Sequence, residues 1–270
     1  MSKKDNEKII KKISTKGFQY LDKPRIPPLD EIEFIKEIFL FQSAMDKLEY
    51  PNREIIESEW EGEMNSLVQW LKGYNKNMLD ELSSFLKLEG KSLNIDLINS
   101  SESKDPINSF LREKGSIFNV MATMGRYRKL RLKWVLMASH VTYNTSLPPR
   151  DKEILILRIA WLCGSEYEWN HHVLVGKRAG LSKEEINKIK IGSEAQGWNN
   201  FDKLLLSSVD ELYTSTILSD TTWNALSERY EEKQLMDLIF VVGAYNMLAM
   251  FMNSIGFKTE ECVKKNLKES

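Results

Sequence analysis

Two residues capable of acid and base chemistry lie four positions apart near the middle of the chain. Glu168 and His172 would share one face of a helix, because residues four apart lie one turn apart. A carboxylate beside an imidazole fixes its tautomer and lets the pair accept and return a proton near neutral pH. Glu153 precedes them, and a helical hairpin closed at Gly164 would bring it over the same face. These three residues form the candidate catalytic site.

Two of these residues also have a structural interpretation. The sequence from Ser165 to Glu168 is a capping box, in which the glutamate binds the backbone at the start of its helix. His172 could equally be a core histidine whose hydrogen bonds are satisfied. Burial of the cluster would favour catalysis, since unpaired buried charge is costly. A Glu168 that caps its helix in solvent beside an exposed His172 would favour a structural role.

The elements that must position these residues are predicted to be helical. Pro148 and Pro149 fit the first turn of a helix that Gly164 ends, and a second capping box begins at Ser182. We find no alternation or hairpin signal typical of strands. The predicted helices run at about 29–50, 53–73, 77–88, 117–141 (interrupted near Gly125), 149–163, 165–180, 183–190, 200–214, 220–230 and 232–254.

Charge and composition exclude several classes of protein. The chain has 270 residues with 38 basic against 39 acidic side chains, whereas nucleic-acid binding favours a basic excess. No apolar segment follows the N-terminal lysines, as a secretory signal would require, and the two cysteines form no CxxC pair. The most apolar run, Leu238 to Met252, is short for a membrane span and is predicted to be a buried core helix. We therefore expect a cytoplasmic protein without membrane or nucleic-acid partners.

Composition along the chain predicts two parts. Residues 1–105 form a helical extension, of which the basic stretch 1–16 is expected to be a flexible tail and 17–105 is acidic. Residues 90–106 are rich in Ser, Asn and Asp and are typical of a linker. Residues 106–270 form the main domain. The extension could pack on that domain or on a neighbouring subunit.

The stretch LPPRDKEILILRIAWLCGSEYEWNHHVLVGKRAGLSKEEI, Leu147 to Ile186, closely resembles carboxymuconolactone decarboxylase-like proteins. These proteins share the all-helical fold of alkylhydroperoxidase D. The later segments GWNNFDKLLLSSVDEL, LSDTTWNAL and GAYNMLAMFMNSIG are similar to the same family's later helices, so the resemblance covers about residues 107–257. It implies an all-α domain that assembles as a dimer, trimer or hexamer, with the site near a subunit contact.

The redox branch of this family uses a Glu, a CxxC pair and a His four residues after the second Cys. Aligning that His with His172 places the Glu on Glu153 and the two cysteines on Ser165 and Glu168. Peroxide reduction needs a thiolate and a resolving thiol, and neither is present at the motif. Cys163 lies two residues early and has no CxxC partner. A peroxidase is therefore disfavoured.

The resemblance implies instead a carbon–carbon lyase that needs no cofactor or metal. Loss of CO2 from a small carboxylated or lactone-type substrate leaves a dienolate, which His172 would protonate while Glu153 and Glu168 orient the imidazole and tune its pKa. A substrate carboxylate would need a cationic or N–H partner, and Arg150, Arg158 and the backbone near Glu166 are candidates. Alternatively, the domain is a non-catalytic helical module for ligand binding or oligomerisation. His140, Tyr143 and Tyr245 are candidates either for pocket lining or for packing.

Overall fold

The computed structural model describes residues 23–29, 33 and 119–269. The predicted tail at 1–16, the helices at 29–50, 53–73 and 77–88, and the linker at 90–106 lie outside the described residues, except for positions 29 and 33. Contacts divide the chain into one unit of residues 1–26 and 138–270 and another of residues 27–137. The boundary expected between 105 and 106 stays a prediction.

The described residues form α-helices joined by short connections, with one π-helical turn and no strand. This confirms the predicted all-α fold class. The helices are α1 (Asn119–Gly125), α2 (Arg128–Ser139), the π-helical turn (His140–Asn144), α3 (Pro149–Leu162), α4 (Glu166–Arg178), α5 (Lys183–Ile191), α6 (Asn200–Ser215), α7 (Asp220–Ser227), α8 (Glu232–Ile255) and α9 (Glu261–Glu269).

Most of the predicted helices in this part of the chain are confirmed. From Pro149 to Ile255 their ends agree with the prediction to within three residues, and the interruption expected near Gly125 separates α1 from α2. Helix α9 was not predicted from the sequence. The reason is that Val263 is the one fully buried apolar residue of this short helix, so its apolar periodicity is weak.

One of the two predicted capping boxes is present and the other is not. Ser182 accepts a hydrogen bond from the Glu185 N–H and Glu185 binds back to the Ser182 backbone, as predicted. At Ser165 the prediction is wrong, because its side chain caps no backbone N–H. The Ser165 hydroxyl is buried and lies 4.0 Å from the Met252 sulfur, so packing against α8 directs it away from the helix start. Glu168 is therefore not a capping residue.

Helix α3 is the centre of the fold, packed against α4, α6 and α8. It is buried on all sides, as expected for a core helix rather than a surface one. Three buried charged residues lie within it, Asp151, Glu153 and Arg158. Arg158 donates to Asp210 at 2.7 Å and to the Ile189 carbonyl at 2.8 Å, which fixes α5 and α6 against α3.

The prediction of α8 as a buried core helix holds for one face of the helix only. Leu238, Val241 and Tyr245 are buried, but the opposite face is exposed along most of its length. Among the described helices, α8 is long and apolar enough to cross a membrane by length and composition, yet its buried face belongs to the core. Average hydropathy does not distinguish an apolar helix buried on one face from one buried on both. The cytoplasmic location stays a prediction.

Candidate functional site

A hydrogen bond across the α3–α4 hairpin joins two of the three predicted site residues. His172 Nδ1 lies 2.8 Å from Glu153 Oε2. Gly164, with a positive φ of 61°, makes the turn between the two helices possible. The Glu153 side chain is 1% exposed and that of His172 is 14% exposed, so the carboxylate is buried and the imidazole keeps a small exposed fraction.

This hydrogen bond decides which ring nitrogen can do chemistry. A carboxylate only accepts, so Nδ1 of His172 carries the proton that is shared with Glu153. Nε2 is then the nitrogen that can exchange a proton with a bound molecule. Glu153 also stabilises the imidazolium that forms when Nε2 accepts a proton. The residue that orients His172 is therefore Glu153 on the neighbouring helix, not Glu168 one turn before it.

Glu168 lies in the core, and its carboxyl has no hydrogen-bond partner among the residues that the structure describes. The residue is 2% exposed, and neither carboxyl oxygen has a partner among the described residues. Burial raises the pKa of Glu168 well above its usual value, because the low-dielectric interior disfavours the charged carboxylate. Glu168 is thus a buried neutral acid over a pH range in which an exposed glutamate is ionised.

Tyr245 on α8 is a further residue at this site. Its ring is 4.9 Å from the His172 ring and meets it edge-on, and the side chain is buried. Burial, and then the charge of Glu153, raises the pKa of the Tyr245 hydroxyl, which also bonds to the Thr142 side chain in the π-helical turn. Lys152 donates to the Thr142 carbonyl. Irregular turns of this kind are frequent at functional sites.

The other polar candidates face elsewhere. His140 is half exposed and its Nε2 lies 2.6 Å from Asp237, at the start of α8. Tyr143 is exposed. His171 uses Nδ1 to donate to the Tyr167 carbonyl, and its Nε2 lies 2.9 Å from Glu260 just before α9. The contacts of His140 and His171 therefore join elements of the fold.

Both arginines considered for binding a substrate carboxylate are held in ion pairs. Arg158 is completely buried and its guanidinium is paired with Asp210. Arg150 donates to both carboxyl oxygens of Asp202 at 2.9 Å and to Glu185. These contacts fix α5 and α6 to α3, and they leave neither guanidinium for a ligand at His172.

The cysteine nearest to the site is a poor nucleophile. Cys163 and Cys262 are both free thiols. Burial, together with the charge of Glu168, raises the pKa of Cys163 to about 12, and its thiol lies 3.2 Å from the Asn246 side-chain oxygen. Little thiolate exists at neutral pH. No three His, Cys, Asp or Glu side chains cluster as metal ligands in the part of the chain that the structure describes.

The helical segment that contains the Glu153–His172 pair is similar to a known protein family. Residues 130–206 match the model of the carboxymuconolactone decarboxylase family. Over those residues the family resemblance predicted from the sequence is confirmed. The matched segment includes Glu153, Glu168 and His172.

A solved structure shares the fold. The chain is similar to the debrominase Bmp8, whose structure was determined in complex with 2,3,4-tribromopyrrole. The match has 14% sequence identity and a TM-score of 0.50, and it covers 60% of this chain and 86% of the debrominase. At this identity the similarity concerns the fold alone. No curated protein matches the sequence.

Proposed function

We propose that this protein is an acid/base enzyme that transfers protons to and from a small carboxylated or lactone-type molecule without an organic cofactor. The observation that carries the proposal is the buried carboxyl of Glu168, unpartnered within the described residues, one helical turn from the buried Glu153–His172 pair. Leaving such a group unsatisfied costs roughly 1–3 kcal/mol of stability. Buried titratable groups with displaced pKa values are typical of catalytic sites.

The three residues divide the proton chemistry between them. Glu153 holds the His172 imidazole in one tautomer and stabilises its protonated form. His172 relays protons through Nε2, because it keeps partial contact with the surface. Glu168 holds a proton in the core and releases it when the carboxylate is stabilised by a reacting group.

Glu153, Glu168 and His172 can supply the proton that a balanced decarboxylation requires. The bond between the substrate and its carboxylate breaks, CO2 leaves, and the electron pair enters a dienolate conjugated with the lactone carbonyl. A proton from Glu168 or from the His172 imidazolium then adds to carbon. Solvent restores that proton through His172, so one proton is consumed for each CO2 released. The family name describes this reaction, which supports the proposal without assigning the substrate.

Recognition of a substrate carboxylate would fall on residues other than the two arginines. Lys152 is next to Glu153 in the chain. Burial lowers the pKa of the Lys152 ammonium, and the charge of Glu153 opposes this by favouring the protonated form. One of its three ammonium protons is used on the Thr142 carbonyl. Lys152 is therefore the cationic candidate for binding an anionic substrate.

The test is release of CO2 from 4-carboxymuconolactone by the full chain. Glu168→Gln and His172→Ala should each lower kcat by about a hundredfold or more, the usual range for a general acid or base. Glu184→Gln, at an exposed glutamate on α5, is the matched control and should retain activity. Circular dichroism of every variant establishes that the helices are intact.

Each outcome of these activity measurements distinguishes the proposed relay from one of its alternatives. Activity retained in both site variants would overturn the relay. No turnover by the wild type would reject this substrate and favour the non-catalytic module. Loss of peroxide turnover on replacing Cys163 and Cys262 would favour the peroxidase instead.

A further inference from the structure

Thr142, in the π-helical turn, is bonded to two residues of the candidate site at once. Its backbone carbonyl accepts a hydrogen bond from the Lys152 ammonium. Its side chain bonds to the hydroxyl of Tyr245, whose ring lies against His172. We propose that Thr142 is a positioning residue, which acts on the His172 ring through its hydroxyl and on Lys152 through its carbonyl. This role rests on the acid/base function proposed above and adds to that site a residue that acts through its neighbours.

The contacts of Thr142 form a closed circuit with the Glu153–His172 pair. From Thr142 the circuit runs through Tyr245, His172, Glu153 and Lys152 and back to Thr142. Glu153 and Lys152 are neighbours in α3, so a peptide bond supplies the link between them. Thr142 is the member of the circuit that lies outside α3, α4 and α8. Groups held in place before the substrate arrives lower the entropic part of the barrier, so the closure of this circuit has a use in catalysis.

The Tyr245 ring fixes a freedom of His172 that the Glu153 hydrogen bond leaves open. That bond selects Nδ1 as the ring nitrogen that faces Glu153. It does not fix the plane of the imidazole, since the outer torsion of a histidine side chain has a broad energy minimum. The Tyr245 ring meets the imidazole edge-on, with 88° between the two planes and 4.9 Å between the ring centroids. The plane of the His172 ring, and with it the direction of Nε2, therefore depends on where Tyr245 is held.

The hydroxyl of Tyr245 is held by the Thr142 side chain. Tyr245 is 3% exposed, and burying a hydroxyl without a hydrogen bond is costly. The bond to Thr142 meets this requirement. Because the hydroxyl lies at the end of the ring farthest from the backbone, this bond controls the tilt of the whole ring. Loss of the Thr142 hydroxyl should therefore loosen Tyr245 and, through it, the His172 imidazole.

The π-helical turn is fixed to the start of α8 by contacts that do not involve Thr142. Asp237 Oδ1 lies 2.6 Å from His140 Nε2. The other oxygen of Asp237 accepts from the Ser146 N–H at 2.6 Å and from the Ser146 hydroxyl at 2.7 Å. These contacts hold the chain on either side of Thr142. A substitution confined to the Thr142 side chain should therefore leave the turn in place.

The Thr142 carbonyl is a favourable partner for the Lys152 ammonium. Carbonyls in the last turn of a helix lack partners within the helix, and the helix dipole favours a cation there. Lysine has a long flexible stem, so a hydrogen bond to a fixed carbonyl restricts where its ammonium lies. Replacing the Thr142 side chain leaves this carbonyl unchanged. The effect of Thr142 on His172 can therefore be separated from its effect on Lys152.

Steady-state kinetics of the full chain with 4-carboxymuconolactone separates the two effects. Thr142→Val removes the hydroxyl and keeps the branched shape, so kcat should fall about tenfold while KM stays within about twofold of wild type. Tyr245→Phe breaks the same bond from the other side and should lower kcat equally. Because both substitutions remove one interaction, the double variant should lose no more than either single variant. Lys152→Met should instead raise KM by about tenfold, the usual effect of losing a hydrogen bond to a charged group.

Two further variants control for changes in shape and in fold. Thr142→Ser keeps the hydroxyl and should recover the wild-type kcat, whereas a steric role of the methyl group would be kept by valine and lost by serine. Thr221→Val makes the same exchange at an exposed position on α7 and should leave kcat and KM unchanged. Circular dichroism establishes that each variant keeps its helices. An unchanged kcat in Thr142→Val, or a rise in its KM alone, would overturn the inference.

NMR of the His172 ring tests the positioning without any turnover. The ring-proton signals of His172, assigned by their absence in His172→Ala, should move in Thr142→Val and in Tyr245→Phe, because the ring current of the aromatic neighbour changes with its tilt. They should return in Thr142→Ser, and the signals of His171, which contacts other residues, should stay in place. Unchanged His172 signals in both variants would contradict the positioning role whatever the kinetics show. Moved signals in a protein that does not turn over the substrate would support that role and reject the proposed reaction.

Discussion

The carboxylate of Glu153 and the imidazole of His172 form a 2.8 Å hydrogen bond between two helices, across 19 positions of the chain. Because Glu153 satisfies Nδ1 of His172, Glu168 is not needed to orient the ring. Two carboxyl groups close to one histidine thus have different environments. Glu153 has a hydrogen-bond partner, and Glu168 is buried without one among the described residues. Such a difference separates acid and base roles at one site.

The first prediction concerns the coupling between Glu153 and His172. His172→Ala should cost roughly 1–3 kcal/mol in the free energy of unfolding, since the Glu153 carboxylate is left buried without its partner. Adding Glu153→Gln should recover part of that loss. Urea denaturation of the two single variants and the double variant measures the coupling. Costs that simply add would show that the hydrogen bond does not contribute to stability.

The second prediction concerns Glu168 and pH. Burial raises the pKa of Glu168 in the folded state. Between about pH 4.5 and this raised pKa, Glu168 is ionised in the unfolded chain but still protonated in the folded protein. The free energy of unfolding therefore decreases as the pH rises through this range, by about 1.4 kcal/mol per pH unit. Glu168→Gln lacks this loss, and its stability relative to wild type should increase with pH.

Urea denaturation at a series of pH values measures this difference. The Gln amide adds a cost that does not vary with pH, so only the slope is diagnostic. Glu184→Gln, on the exposed surface, should give a curve parallel to wild type. A parallel curve for Glu168→Gln as well would mean that Glu168 ionises like an exposed glutamate.

The third prediction separates backbone strain from steric contact at two glycines. Gly180 and Gly192 have φ values of 97° and 98°, so alanine is strained at both. A Cβ at Gly192 would lie 2.6 Å from Arg158 Nη2, whereas at Gly180 it would meet nothing within 4 Å. Gly180→Ala should cost about 1–2 kcal/mol. Gly192→Ala should cost clearly more, because it displaces a buried ion pair whose disruption typically costs 3–5 kcal/mol.

Thermal unfolding of both glycine variants checks this ordering. Arg158→Met removes the guanidinium. In that background, Gly192→Ala should destabilise the protein about as much as Gly180→Ala does. If Gly180→Ala and Gly192→Ala lower the free energy of unfolding equally with Arg158 present, the Arg158 side chain moves aside without an energetic cost.

The fourth prediction concerns the reactivity of Cys163. With its pKa raised to about 12, its thiolate fraction at neutral pH is about a thousandfold below that of a free cysteine. In a Cys262→Ser background, iodoacetamide should therefore alkylate the native protein very slowly and the urea-unfolded protein quickly. Rapid labelling of the native protein would indicate an accessible thiolate and would revive the peroxidase alternative.

Local signals predicted the helical framework around the site. Pro149, Gly164 and Ser182 mark helix starts and turns through their own backbone preferences, and all three act as predicted. These effects involve residues close in sequence, so they are visible without a structure. The hairpin that brings Glu153 to His172 follows from the same signals.

Contacts between distant residues were less predictable. The sequence S-x-x-E at Ser165 satisfies a capping pattern, but packing of Ser165 on Met252, 87 residues away, prevents the cap. The same packing leaves Glu168 unpartnered in the described core. For α8, a continuous apolar run gave no sign of which face would be covered. Both errors arise because burial depends on the packing of whole helices rather than on local pattern.

The protonation state of Glu168 is the most direct test of the proposed chemistry. Carbon-13 NMR of the full chain labelled at the glutamate carboxyl carbon, with the Glu168 signal assigned by its absence in Glu168→Gln, follows this group through a pH titration. We predict a neutral carboxyl well above pH 4.5, with a titration that shifts in His172→Ala because the two groups share one site. Ionisation of Glu168 near pH 4.5, unchanged in His172→Ala, would contradict the role of Glu168 as the buried acid.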